Sequence, residues 1–120
     1  MPAGRSLIHY TSEIGLTPLQ WYPYSNKLPS TWDAAFGNIS ATYPVISAEN
    51  GEYDFATTYM SPLLSYFDAH NISWLGWSWV VIPGANPCGY PQLISDYTGT
   101  PIAGMGELIY QHLLSYVHAP

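Results

Sequence analysis

Charge is scarce in this chain: 8% of its 120 residues are Asp, Glu, Lys or Arg, and two basic residues face eight acids for a net charge of −6. A surface so poor in cations repels phosphate backbones, which argues against nucleic acid as a partner. The single cysteine, Cys88, forms no internal disulfide and no thiolate metal cluster, and leaves the redox compartment open. No apolar run reaches membrane-spanning length, and the opening Met1-Pro2-Ala3-Gly4-Arg5 lacks the apolar stretch of a signal peptide, so no membrane segment is expected. His9, His70 and His118 have no partners at metal-ligand spacing, so neither a metal nor a cofactor is expected. The length suits one core, and residues 1–120 read as a single domain.

What the chain has in place of charge is aromatic surface. Five Trp and eleven Tyr are more flat amphipathic rings than a core this small hides. Such rings stack on sugars and also suit protein interfaces, and composition alone leaves both open.

Short apolar runs alternate with helical patterns. Leu19–Tyr24 reads as a strand, and Ser30-Thr31-Trp32-Asp33-Ala34-Ala35-Phe36 as a capped amphipathic helix. Tyr43–Ala48 reads as the second strand. Met60, Leu63, Leu64 and Phe67 recur at helical spacing, with Ser61-Pro62 marking either a first turn or a kink. Asn71–Val81 is nearly continuous in apolar character, as a strand covered on both faces would be. A Pro- and Gly-rich loop spans Val81–Pro101, and Met105, Leu108, Ile109, His112, Leu113 and Tyr116 mark a closing helix. Strand, helix, strand, helix is the order of a parallel α/β sheet.

Within PVISAENGEYD (residues 44–54), Glu49 stands where the apolar strand stops, a common place for chemistry in parallel α/β folds. Glu52 and Asp54 lie beyond Gly51, placed to cap the next helix. All three also fit solvated loop acids. Period-two alternation puts Trp77 and Trp79 on one face of the third strand and Trp74 on the other, lining either a cleft or a core. His112 falls in the apolar stripe of the last helix and reads as a satisfied core histidine.

Four blocks then carry a family likeness: Tyr43 to Tyr53, Leu64-Ser65-Tyr66-Phe67-Asp68-Ala69-His70, Ile72-Ser73-Trp74-Leu75-Gly76-Trp77-Ser78-Trp79, and Cys88 to Pro101. In this order they resemble the last quarter to third of a cellulase of glycoside hydrolase family five, from about Tyr22 to Tyr116, with residues 1–20 poorly matched. The resemblance implies a β/α barrel enzyme that cleaves β-glycosidic bonds with retention. It places the nucleophile on Glu49, the sugar-platform tryptophan on Trp77, and the tyrosine that orients the nucleophile on Tyr24. Tyr22 stands where the family has histidine, and Trp79 and Tyr22 join Trp77 as candidate substrate contacts. The family is usually secreted. A loop cysteine there commonly pairs near the start of helix seven, where this chain has Phe55.

The departures define what else is expected. The family's eight-stranded barrels need roughly 250 residues, and this chain has 120. Retention needs two carboxyl groups about 5 Å apart, and the family's Asn-Glu-Pro acid motif is missing. Ser6–Ile14 resembles a strand closing on a glutamate, with Ser12 and Ile14 replacing Asn and Pro, which makes Glu13 the candidate acid/base. The expected fold is a half-barrel of parallel strands whose open edges and interior are closed by a second copy, as a homodimer or higher homo-oligomer. The expected ligand is a β-linked oligo- or polysaccharide. Two alternatives stand beside the enzyme: a non-catalytic carbohydrate-binding or assembly protein derived from such a barrel, and a fragment completed by a separately encoded half.

Overall fold

The structure, a computed structural model, describes residues 8–10, 29–84 and 90–119. These form a parallel three-stranded sheet with helices against one face, an α/β arrangement. In chain order the elements are β1 (Ile8–Tyr10), α1 (Pro29–Trp32), a π-helical turn (Asp33–Gly37), α2 (Asn38–Ser40), β2 (Val45–Asn50), α3 (Met60–Ala69), β3 (Ser73–Gly76) and α4 (Met105–Val117). The sheet order is β1-β2-β3, with Ile8 opposite Val45 and Ile46 opposite Ser73. The strand beside β2 is therefore Ile8–Tyr10; Leu19–Tyr24, the segment that reads as a strand in the sequence, lies outside the described residues.

One apolar core joins the helices to the sheet. Trp32 and Phe36, Met60, Leu63, Leu64 and Phe67 of α3, Val45 of β2, and Met105 and Ile109 of α4 are all buried in it. The α3 contributors follow the helical spacing seen in the sequence, and edge-on contacts of Trp32 and Phe36 with Tyr66 fix how the first helical segment meets α3.

Pro62 sits in the first turn of α3, where its missing N–H costs nothing, so the Ser61-Pro62 pair marks a start and no kink. The residue preceding this helix, Tyr59, offers no side-chain cap. The cap comes from upstream: the buried Glu52 carboxylate accepts the Tyr59 N–H at 3.1 Å, the Met60 N–H at 2.9 Å and the Thr58 hydroxyl at 3.1 Å. A carboxylate here satisfies donors that the first turn leaves free and faces the positive end of the helix dipole.

The third strand is shorter than its apolar run. After Asn50 pairs with Gly76, β2 turns away at Gly51 and gives β3 no further partner. The chain continues by other bonds, Trp77 N–H to the Asn50 carbonyl at 2.8 Å and Ser78 N–H to the Pro91 carbonyl at 3.0 Å. Nor is β3 covered on both faces by the described residues. Trp74 meets His112 of α4 edge-on and Gly76 lies against Ile109 and Leu93, whereas Ser73 and Leu75 point the other way and Leu75 is 58% exposed.

His112 is satisfied, but not within the core. It is half-exposed, 3.0 Å from Asp68 of α3, and Tyr116 donates its hydroxyl to the same carboxylate while accepting the Trp74 indole N–H at 3.2 Å. These groups clamp α3 to α4. Asp68, Trp74 and Tyr116 line part of an open cavity of about 500 Å³ at the N-terminal end of β3, the opposite end of the sheet from Glu49.

Candidate functional site

Glu49 lies inside β2, one residue before its end, and a break in strand count decides where it faces. Ser47 is opposite Trp74 and Asn50 is opposite Gly76, so β2 uses three steps where β3 uses two. One extra residue in one strand is a β-bulge, which redirects side chains. Val45, Ser47 and Asn50 are buried on the helix-covered side, and Ala48 and Glu49 between them are both half-buried. Strict alternation from Val45 and Ser47 would instead drive Glu49 beneath the helices, where an unpaired carboxylate is costly. The bulge leaves Glu49 on the face that the described helices do not cover, the open face of the sheet among the described residues, where no described donor occupies its carboxylate.

Trp77 follows directly on β3 and its N–H bonds to the carbonyl of Asn50, the residue after Glu49, so the two residues share the C-terminal edge of adjacent parallel strands, the edge where ligands collect in such sheets. Its indole N–H donates to the Tyr90 hydroxyl at 2.9 Å, which fixes the ring edge, and its peptide bond to Ser78 is cis. Tyr53 completes the aromatic group: burial, and then its nearness to Tyr90, push its hydroxyl above the ordinary phenol value.

Trp79 goes elsewhere. The period-two expectation for Trp77 and Trp79 required a strand continuing past Gly76, and none does. Trp79 is 64% exposed, lies against Gly99, and borders an apolar cavity of about 250 Å³ with Leu93, Ile109 and Leu113. That cavity is on the α4 side, away from Glu49.

The acids next to Glu49 in sequence are committed to other tasks. Glu52 is the buried helix cap; burial is the main influence and pushes its carboxyl above the ordinary value, opposed by the hydrogen bonds it accepts from Met60, Tyr59 and Thr58. It is no solvated loop acid. Asp54 accepts the Ala56 N–H at 3.0 Å in a local turn. Glu13, Tyr22, Tyr24 and Cys88 lie outside the described residues.

Two residues of this region had no distinguishing signal in the sequence. Tyr90 sits in a Pro- and Gly-rich loop without periodicity, and its partner is thirteen residues away. Asn50 lies between Glu49 and Gly51 with no periodicity to mark it, and only the tertiary structure shows it wholly buried. Chemically the C-terminal edge of the sheet offers one half-buried carboxylate on β2 and, following β3, an indole hydrogen-bonded to a phenol.

Comparison with family models, curated proteins and solved structures finds no match for the chain.

Proposed function

We propose that this chain forms part of a retaining β-glycosidase of cellulase type, with Glu49 as nucleophile and Trp77 as the platform for the sugar beside the reacting bond. The observation that supports this most is the β-bulge between Ser47 and Asn50, which aims one carboxylate out of a packed sheet toward the edge that bears the indole. Bulges recur next to active sites for this reason. In this reading Glu49 attacks the anomeric carbon and expels the leaving oxygen, which takes a proton from a second carboxyl group about 5 Å away. Glu13 is the proposed acid, from the same chain or from a second copy. Tyr24 would hydrogen-bond the nucleophile, and Tyr22 would extend the sugar contacts.

The open face of the sheet, with Leu75 exposed on it, supports the companion proposal of a half-barrel closed by another copy. Where Glu49 has no second carboxyl group near it, the same surface serves a second reading, a carbohydrate-binding or assembly protein that retains the platform without turnover. The fact favouring that reading is that Glu52 and Asp54 are both engaged with backbone N–H groups.

The deciding experiment measures release of nitrophenol from an aryl β-cellobioside between about pH 4 and 7, the range in which carboxyl acids work, together with solution mass. Hydrolysis abolished by Glu49→Ala supports the enzyme. Hydrolysis unchanged by that substitution removes Glu49 from its role, and oligosaccharide binding without hydrolysis favours the second reading.

A further inference from the structure

We infer that Asn50 is a positioning residue for Glu49: its side-chain amide locks the bulge that holds the carboxylate on the open face of the sheet. The inference deepens the functional reading above and takes from it the role of Glu49.

Three hydrogen bonds carry it. Asn50 Oδ1 accepts the Ser47 hydroxyl at 2.8 Å, and Asn50 Nδ2 donates both to the Ser47 carbonyl at 3.1 Å and to the Leu75 carbonyl at 3.0 Å. The amide thus spans the bulge within β2 and reaches across to β3 at the step where the two strands fall out of count. Its backbone carbonyl also accepts the Trp77 N–H at 2.8 Å. One fully buried residue therefore connects the segment bearing Glu49 with the segment bearing Trp77.

The geometry has little slack. A strand that loses its bulge returns to period-two alternation, and a slip of one residue moves each side chain to the other face. For Glu49 that means transfer from the open face to the helix-covered face. An asparagine supplies two donors and an acceptor at the required reach. Aspartate keeps the shape but loses both donors, and would set a carboxylate against two carbonyls.

The test uses the full chain with Asn50→Ala and Asn50→Asp, and reads two quantities. The first is carbodiimide-coupled amine labelling of the Glu49 carboxyl, followed by mass spectrometry, which needs no activity. Labelling of Glu49 falls severalfold in both variants relative to the parent if the amide holds the bulge. Labelling that is unchanged or higher in folded variants overturns the inference. The second readout is steady-state hydrolysis of the aryl β-cellobioside. A misplaced nucleophile lowers kcat by about 100-fold, while KM stays within a factor of about three because the binding surface is kept. An unchanged kcat overturns the positioning role.

If Asn50 variants fail to fold, Ser47→Ala replaces them, since it removes one of the three bonds, and the same labelling criterion applies. If the parent chain has no hydrolytic activity, the enzyme reading falls while the labelling result still decides whether Asn50 orients Glu49.

Discussion

The carbonyl oxygen of Trp77 lies 2.5 Å from the position that a Cβ on Gly51 would occupy, with the Pro91 side chain 2.8 Å from the same point. The end of β2 and the end of β3 therefore approach more closely than any side chain at Gly51 allows, and this approach holds Trp77 against the end of β2, just beyond Glu49. Because the obstacle is backbone on one side, it cannot rotate away. Gly51→Ala is expected to destabilise the fold by about 1–3 kcal/mol and to displace the indole from Tyr90. Denaturant unfolding gives the first effect and a changed tryptophan emission spectrum the second. Full stability with an unaltered spectrum would show that the strands tolerate separation here.

The two tryptophans near the sheet edge should separate in function. Trp77→Ala is expected to weaken oligosaccharide binding by about 1–3 kcal/mol, the range for loss of an aromatic anchor. Trp79→Ala, on the α4 side, should change that binding little. Titration calorimetry with cello-oligosaccharides measures both, and equal losses would return Trp79 to the cleft.

Glu52→Ala leaves the N–H groups of Tyr59 and Met60 without their acceptor at a buried helix start. The expected cost is about 2–4 kcal/mol, since hydrogen bonds to a charged group are among the stronger ones and unsatisfied buried donors add to the loss. Urea unfolding measures this, and a change below about 0.5 kcal/mol would place Glu52 among ordinary surface acids.

The same residue predicts a pH dependence. Burial raises the Glu52 carboxyl above its ordinary 4.5 in the folded chain, so the folded state holds the proton more tightly than the unfolded state does. The resulting stabilisation is complete below the unfolded value and is lost as pH rises through the folded value. Unfolding midpoints should therefore fall from about pH 4 toward neutrality in the parent chain, and Glu52→Gln, which cannot titrate, should flatten that part of the profile. A parent and variant with parallel profiles would contradict the assignment.

Gly104 tests the link between the loop and the closing helix. It adopts φ +85°, and a Cβ there would stand 2.1 Å from the Phe55 carbonyl, the group that accepts the Met105 N–H. Gly104→Ala combines an unfavourable backbone conformation with a clash, and should lower stability by more than about 1 kcal/mol in thermal or urea unfolding.

Much of the scaffold was legible because its cause is local. The periodicity of Met60, Leu63, Leu64 and Phe67 gave α3, Met105 to Tyr116 gave α4, and Val45 to Ala48 gave most of β2, since burial of one helical stripe or one strand imposes its spacing on the sequence. The capping role of Glu52 was readable from its place before a helix. The length of β3 was not, because an apolar run stays apolar after its ladder ends: Trp77 to Val81 continue the composition of a strand but have no neighbour to pair with.

The sequence by itself determined a poorly charged, aromatic-rich α/β chain with a carboxylate near the end of an apolar strand. Tertiary structure alone decided which way that carboxylate faces. The reason lies in the strand pairing: a single unmatched residue between Ser47 and Asn50, held by an amide reaching to a carbonyl twenty-five residues away, reverses the face that alternation would assign. No pattern within β2 contains that information, because it resides in the count of residues on the strand next to it.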